Sequence, residues 1–178
     1  MKFKSLLGSA LIICVSNAAS AAHVYLGPSL FFRQMAASNS GANSLQPRLS
    51  LGYGGFNGDY YFAGEIYGTP FTTTLSSSEH NNAPNAKTTR AFGVSFIPGM
   101  RLNDDLLAYL RIGVNTTKFS GVNTNKAGAQ FGVGFQTAVT SRLDFRIEYI
   151  FTAYDSMYHM GSPKSNEIGM GMIYKFGI

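Results

Sequence analysis

The stretch from Glu167 to Ile178 alternates with a strictness that few folds allow. Ile168, Met170, Met172, Tyr174 and Phe176 take every even position, while the odd positions hold Glu167, Gly169, Gly171, Ile173 and Lys175. A repeat of two residues puts the first set on one face of a β-strand and the second on the other. The rest of the chain offers no amphipathic helix to cover the apolar face, which leaves lipid as its environment.

The pattern recurs along the chain. Val24, Leu26, Pro28, Leu30 and Phe32 alternate with Tyr25, Gly27, Ser29, Phe31 and Arg33; Leu49, Leu51 and Tyr53 alternate with Arg48, Ser50, Gly52 and Gly54. Tyr60, Phe62 and Ile66 oppose Tyr61, Ala63, Glu65 and Tyr67, and Phe92, Val94 and Phe96 oppose Ala91, Gly93, Ser95 and Ile97. Leu106 to Val114 sets its even residues against Tyr109, Arg111 and Gly113. Phe131, Val133 and Phe135 stand against Gln130, Gly132, Gly134 and Gln136, and Leu143 to Phe151 stand against Asp144, Arg146 and Glu148. A soluble barrel or sandwich hides its apolar face and wets the other. Here Arg33, Arg48, Glu65, Arg111, Arg146 and Glu148 would all lie on the face that a soluble barrel keeps apolar, so the pattern is inverted. Glycines support the same facing: Gly27, Gly52, Gly54, Gly93, Gly113, Gly132, Gly134, Gly169 and Gly171 share the arginine side, where a small barrel has little room, and Gly64 and Gly68 are the exceptions.

The beginning of the chain reads differently. A basic start with Lys2 and Lys4, an apolar run from Leu6 to Val15 and small residues at Ala19, Ser20 and Ala21 have the order of a cleaved secretory signal peptide over 1–21. The competing reading is a membrane anchor, but the run is about half the ~20 residues a spanning helix needs. The only cysteine, Cys14, lies in this segment, so the exported domain, 22–178, would carry no disulfide, thiol nucleophile or thiolate metal site. Its net charge would fall from +5 to +3 with the loss of Lys2 and Lys4. No cluster of Lys and Arg accompanies that excess, which argues against a nucleic-acid partner.

Turn chemistry connects the alternating runs. Asn57-Gly58, flanked by two of them, predicts a tight hairpin with Phe56 opposite Asp59, Arg48 opposite Tyr67 and Ser50 opposite Glu65. That register makes Arg48 and Glu65 diagonal neighbours. Ala36 to Gln46, Thr69 to Lys87, Thr116 to Lys126 and Asp155 to Ser165 read as long polar loops, alternating with short turns such as Gly99 to Asp104 and Thr140 to Arg142. The expected fold is therefore all-β: an eight-stranded antiparallel up-and-down transmembrane β-barrel of strands of roughly 10 to 13 residues, close to the ~9 to 11 needed to cross a bilayer. Short turns would face the periplasm and long loops the exterior, with both termini periplasmic.

Ser95-Phe96-Ile97-Pro98-Gly99, Leu107 to Gly113, Leu143 to Tyr149 and the closing Tyr174-Lys175-Phe176 resemble the eight-stranded outer-membrane barrels of the OmpA-type, OmpX-type and opacity-protein superfamily. That resemblance implies a Gram-negative outer-membrane protein in contact with lipid and lipopolysaccharide. It also implies that Ile168, Met170, Met172, Tyr174 and Phe176 form an assembly signal read by the barrel-assembly machinery. Such signals usually finish on phenylalanine, whereas Gly177 and Ile178 follow here. Relatives often act as surface antigens or adhesins, so the outer loops are candidates for a host or environmental ligand.

Arg33, Arg48, Glu65, Arg111, Arg146 and Glu148 are the first candidate site. They read as a structural polar network filling the interior, with Arg33, Arg48 and Glu65 in its outer half and Arg111, Arg146 and Glu148 nearer the middle or the periplasmic half. A narrow porin-like path through the same residues is the alternative. A third reading, a lipid hydrolase using His159, Ser162 and Glu167, matches poorly the barrels that deacylate lipid A, whose histidine and serine sit two apart on a strand, since His159 and Ser162 lie three apart in a loop. His23, His80 and His159 are dispersed, which argues against a metal site. No nucleophile elbow and no phosphate or dinucleotide loop appears, so neither a cofactor nor a catalytic residue is expected.

Overall fold

The computed structural model describes residues 22–37, 40–69, 87–120, 124–155 and 162–177. The expected signal peptide lies outside them. Eight strands follow in order: β1 (His23–Ala37), β2 (Ser40–Asn57), β3 (Tyr60–Thr69), β4 (Lys87–Arg101), β5 (Leu106–Ser120), β6 (Thr124–Ala138), β7 (Leu143–Tyr154) and β8 (Lys164–Phe176). Each pairs antiparallel with the next, and β1 pairs with β8 from Val24↔Phe176 to Ala36↔Lys164, closing the barrel. Closure follows from the solvent. An open edge in hydrocarbon would leave backbone N–H and C=O groups unpaired at several kcal/mol each.

The facing read from alternation holds on every strand. Large apolar side chains stand outward, among them Leu110 at 42% exposed and Met170 at 60%, while Arg33 and Arg111, both at 1%, are among the most enclosed of the described groups. The interior is not uniformly polar. Tyr25, Tyr61, Ala63, Ile97, Leu107, Tyr109 and Ile173 form an apolar floor near the short turns, with Phe56 packed against it.

Inner glycines have a definite partner. Tyr25 lies directly across from Gly52, Tyr67 from Gly93, Tyr109 from Gly134 and Phe31 from Gly169. In each pair a Cβ on the glycine would run into the ring. A flat ring over bare backbone is how the narrow lumen accommodates aromatic groups.

Three expectations are corrected. First, the proposed loops at Ala36 to Gln46 and Thr116 to Lys126 are largely strand, with ladders continuing through Gln34↔Asn43 and Thr117↔Lys126. The strands therefore run from 10 residues in β3 to 18 in β2. Beyond the bilayer neither face has to be apolar, so the hydrophobic alternation fades while backbone pairing continues. Second, the hairpin register is Ser50↔Tyr67 and Gly52↔Glu65, with Asn57 opposite Tyr60. Gly58 and Asp59 make the turn, and Gly58 has φ +62°. Both mirror-image hairpin turns need positive φ at their first central residue, which places glycine there instead of asparagine. Third, this shift of two residues keeps every side chain on its face but carries Glu65 about 7 Å along the strand toward the short turns. The expected loops at Thr69 to Lys87 and Asp155 to Ser165 fall mostly outside the described residues, although Lys164 and Ser165 belong to β8.

Candidate functional site

The inner-face charges come together as expected, but with different partners. Near the middle, Glu65 on β3 receives Arg111 of β5 and Arg146 of β7, each at 2.7 Å. Tyr25 donates to the same carboxylate at 3.0 Å. Arg111 also reaches Glu148 through Nε at 2.8 Å, and Tyr109 donates to Glu148 at 3.2 Å. Two arginines and two glutamates thus share one buried layer, with tyrosine hydroxyls supplying further donors.

The layer continues toward the short turns. Arg146 donates to Gln136 Oε1 at 2.9 and 3.1 Å, Gln136 donates to Asp144 at 2.6 Å, and Lys175 pairs with Asp144 at 2.8 Å. Toward the other end a second cluster forms around Glu167. Arg33, directly opposite on β1, approaches it at 3.2 Å, and Arg48 of β2 at 2.5 Å. The Arg48 guanidinium also sits between two rings, 3.9 Å from the centre of Phe31 and 4.4 Å from that of Tyr67. Its Nε and Nη1 make no hydrogen bond, and the ring faces satisfy the charge in place of acceptors. Arg33 in turn donates to Tyr154, which also accepts from Asn115 at 3.3 Å.

Arg48 and Glu65 are therefore not neighbours, and Glu65 belongs to the middle layer instead of the outer half. Both corrections trace to the register of β2 against β3, since the two-residue shift lowers Glu65 to the level of Arg111 and Arg146. Glu167 and the Gln136–Asp144–Lys175 chain are parts of the network that the sequence did not bring out. Their signal was available in kind: each lies on an inner alternate position. Which charge meets which across the lumen depends on barrel stagger, which local sequence does not carry.

Packing is tight enough to matter. A small void bordered by Arg48, Glu65, Arg146 and Glu148 measures about 10 Å³, near the minimum that holds one water, and a wider one of about 220 Å³ lies at the short-turn end among Phe56, Tyr61, Gln136, Asp144 and Lys175. Of the would-be hydrolase constellation the described residues include Ser162 and Glu167. Glu167 is held by two arginines, Ser162 is exposed, and His159 and His80 lie outside the described residues. His23 is half-buried at the short-turn end, its ring 6.2 Å from Tyr25. Among the described residues no group of His, Cys, Asp and Glu could hold a metal ion.

Residues 5–176 match the family described as the outer membrane protein beta-barrel domain. No curated protein matches the sequence significantly. Among solved structures the chain is similar to Neisserial surface protein A, with 20% identity and a TM-score of 0.64 over 88% of this chain and 100% of that one. It is similar to Ail, the attachment invasion locus protein of Yersinia pestis, crystallised with the heparin analogue sucrose octasulfate, with 14% identity and a TM-score of 0.60 over 87% and 99%. The outer membrane enzyme PagL aligns with 12% identity and a TM-score of 0.51 over 80% and 97%. At these identities the likeness is one of fold.

Proposed function

This chain belongs to the outer membrane protein β-barrel family, and we propose that it serves the outer membrane as a non-enzymatic structural barrel with a closed lumen, displaying its outer loops for adhesion or as a surface antigen. The observation that carries the closed lumen is the pairing of buried Arg33, Arg48, Arg111 and Arg146 with Glu65, Glu148 and Glu167. Buried charges bonded in this way act as a plug, because opening a path means separating pairs in a poorly solvated space. Display by the loops rests on a general argument, that recognition concentrates on loops carried by a rigid scaffold, and on the attachment invasion locus protein sharing that scaffold.

The proposal includes the cleaved leader over 1–21, both ends of the barrel in the periplasm, and a β8 whose outward Ile168, Met170, Met172, Tyr174 and Phe176 are read by the assembly machinery. An even number of strands supports the shared side of the ends, and the exposure of all five β8 side chains supports their availability. A small porin is the second reading. What favours it is the continuous column of polar side chains from Lys175 through Arg146 to Glu148.

Planar-bilayer recording tests the closed lumen: the refolded barrel is expected to give no stepwise current, and regular conductance steps would select the porin. Deletion within 70–86, followed by a cell-binding assay, tests display. Binding unchanged by deletion of that loop and of the segment 156–161 would remove the adhesin reading.

A further inference from the structure

The turn between β2 and β3 carries the one Asn-Gly pair in the sequence. Asn57 is the last residue of the β2 ladder, opposite Tyr60, and Gly58 and Asp59 form the turn outside that ladder. Asn57 and Gly58 are both exposed. Gly58 holds φ +62°, and a Cβ placed on it would meet nothing within 4 Å. The backbone nitrogen that follows the Asn57 carboxamide is thus flanked by open space on the side where any other residue would carry its side chain. Glycine leaves both the approach to that nitrogen and the backbone rotation that brings the carboxamide onto it unobstructed.

Asn103, exposed in the turn between β4 and β5 at the same end of the barrel, gives the comparison. Its Oδ1 accepts from the backbone N–H of Asp105 at 3.1 Å and of Leu106 at 2.8 Å. These bonds fix the carboxamide across the turn. It is held by nitrogens two and three residues on instead of being offered to the next one, which belongs to Asp104 and is shielded by a side chain.

We propose that Asn57 is a site of spontaneous covalent modification, converting through a cyclic imide to aspartate and isoaspartate. The Gly58 amide nitrogen attacks Asn57 Cγ, and the side-chain nitrogen leaves as ammonia, taking the proton that the Gly58 nitrogen gives up. Water then opens the imide. Attack at Cγ gives aspartate, and attack at the Asn57 main-chain carbonyl gives isoaspartate, in which the backbone runs through the former side chain and gains a methylene. The location gives the second product a structural consequence. This turn sets the pairing of Gly52 with Glu65, and through it the contacts of Glu65 with Arg111 and Arg146, each at 2.7 Å. Aspartate adds a charge at an exposed rim and leaves the backbone unchanged. Isoaspartate lengthens the turn that fixes the register of β3, so its effect reaches the ion pairs in the middle of the barrel.

The full barrel, refolded in a neutral detergent, is incubated at mildly alkaline pH beside the same chain unfolded in urea. Its peptides are then analysed by mass spectrometry with electron-transfer fragmentation, which tells isoaspartate from aspartate. In the folded barrel Asn57 should convert at least about tenfold faster than Asn103. Asn57→Gln, whose extra methylene would require a larger ring, should remain unmodified. An Asn57 that stays a carboxamide in the folded barrel while converting in urea, or that converts no faster than Asn103, overturns the proposal, as does equal conversion of Asn57→Gln. The consequence is tested by isolating the isoaspartate form chromatographically and comparing its heat-modifiable gel migration with that of freshly prepared Asn57→Asp. The isoaspartate form should lose its compact band at a lower temperature. Equal behaviour of the two forms overturns the link between this turn and the charge network.

Discussion

Glu65 is the residue on which the middle of the barrel depends, because one carboxylate answers two guanidinium groups, Arg111 and Arg146. Glu65→Gln preserves shape and an acceptor for Tyr25 but removes the charge, leaving an excess of cation in a buried layer. Breaking a buried pair in this way costs about 3–5 kcal/mol. The variant should unfold at clearly lower urea concentration in detergent while its bilayer recording stays silent. A clear ion current from Glu65→Gln would show that the carboxylate closes a path. Gly134 offers a second test. Its missing side chain is the space occupied by Tyr109, so Gly134→Val should depress refolding yield. Adding Tyr109→Ala should recover part of the loss, a coupling that independent sites would not show. No recovery would mean that the backbone, not the ring, sets the requirement for glycine.

The strand is the scale at which membrane and water divide the sequence. On β5 the outward apolar residues run from Leu106 to Val114, yet pairing with β6 persists to Phe119↔Thr124. Hydrocarbon sets the first length and hydrogen bonding the second. Leu110, in the middle of the apolar run, should tolerate lysine poorly: Leu110→Lys is expected to cost about 2–4 kcal/mol and Tyr60→Lys, beside a short turn, about 0–1. Equilibrium refolding into lipid vesicles measures both, and equal costs would mean that Leu110 does not face the bilayer centre. The β2–β3 hairpin also shows how one turn residue governs distant partners. Gly58 takes the first central position, and that choice moves Glu65 away from Arg48 and into reach of two other strands.

For the whole molecule, the charge network is enclosed by the barrel wall, so dissolved ions reach it poorly. Surface ion pairs weaken as salt shortens the screening length from about 10 Å near 0.1 M to about 3 Å near 1 M. The temperature at which the barrel loses its compact form on a gel should therefore move little over that range. A steep fall with salt would mean that water and ions enter the lumen, and would favour the porin reading. Packing at the floor points the same way as the network, since Tyr61, Ile97, Leu107 and Ile173 pack into one buried apolar cluster near the short turns.

The sequence by itself determined the class, the facing of each strand and the inner position of Arg33, Arg48, Glu65, Arg111, Arg146 and Glu148. A period of two is a local property, and exposure to lipid leaves an unmistakable imprint on it. Strand ends were less legible: Ser40 to Gln46 and Thr116 to Ser120 are polar, and a ladder outside hydrocarbon does not need an apolar face. Only the closed barrel decided that Glu65 meets Arg111 and Arg146 and that Glu167 holds Arg33 and Arg48. Arg33 meets Glu167 through the closing β1–β8 pairing, and the encounters across the lumen depend on the stagger accumulated around the ring, to which every strand pairing contributes.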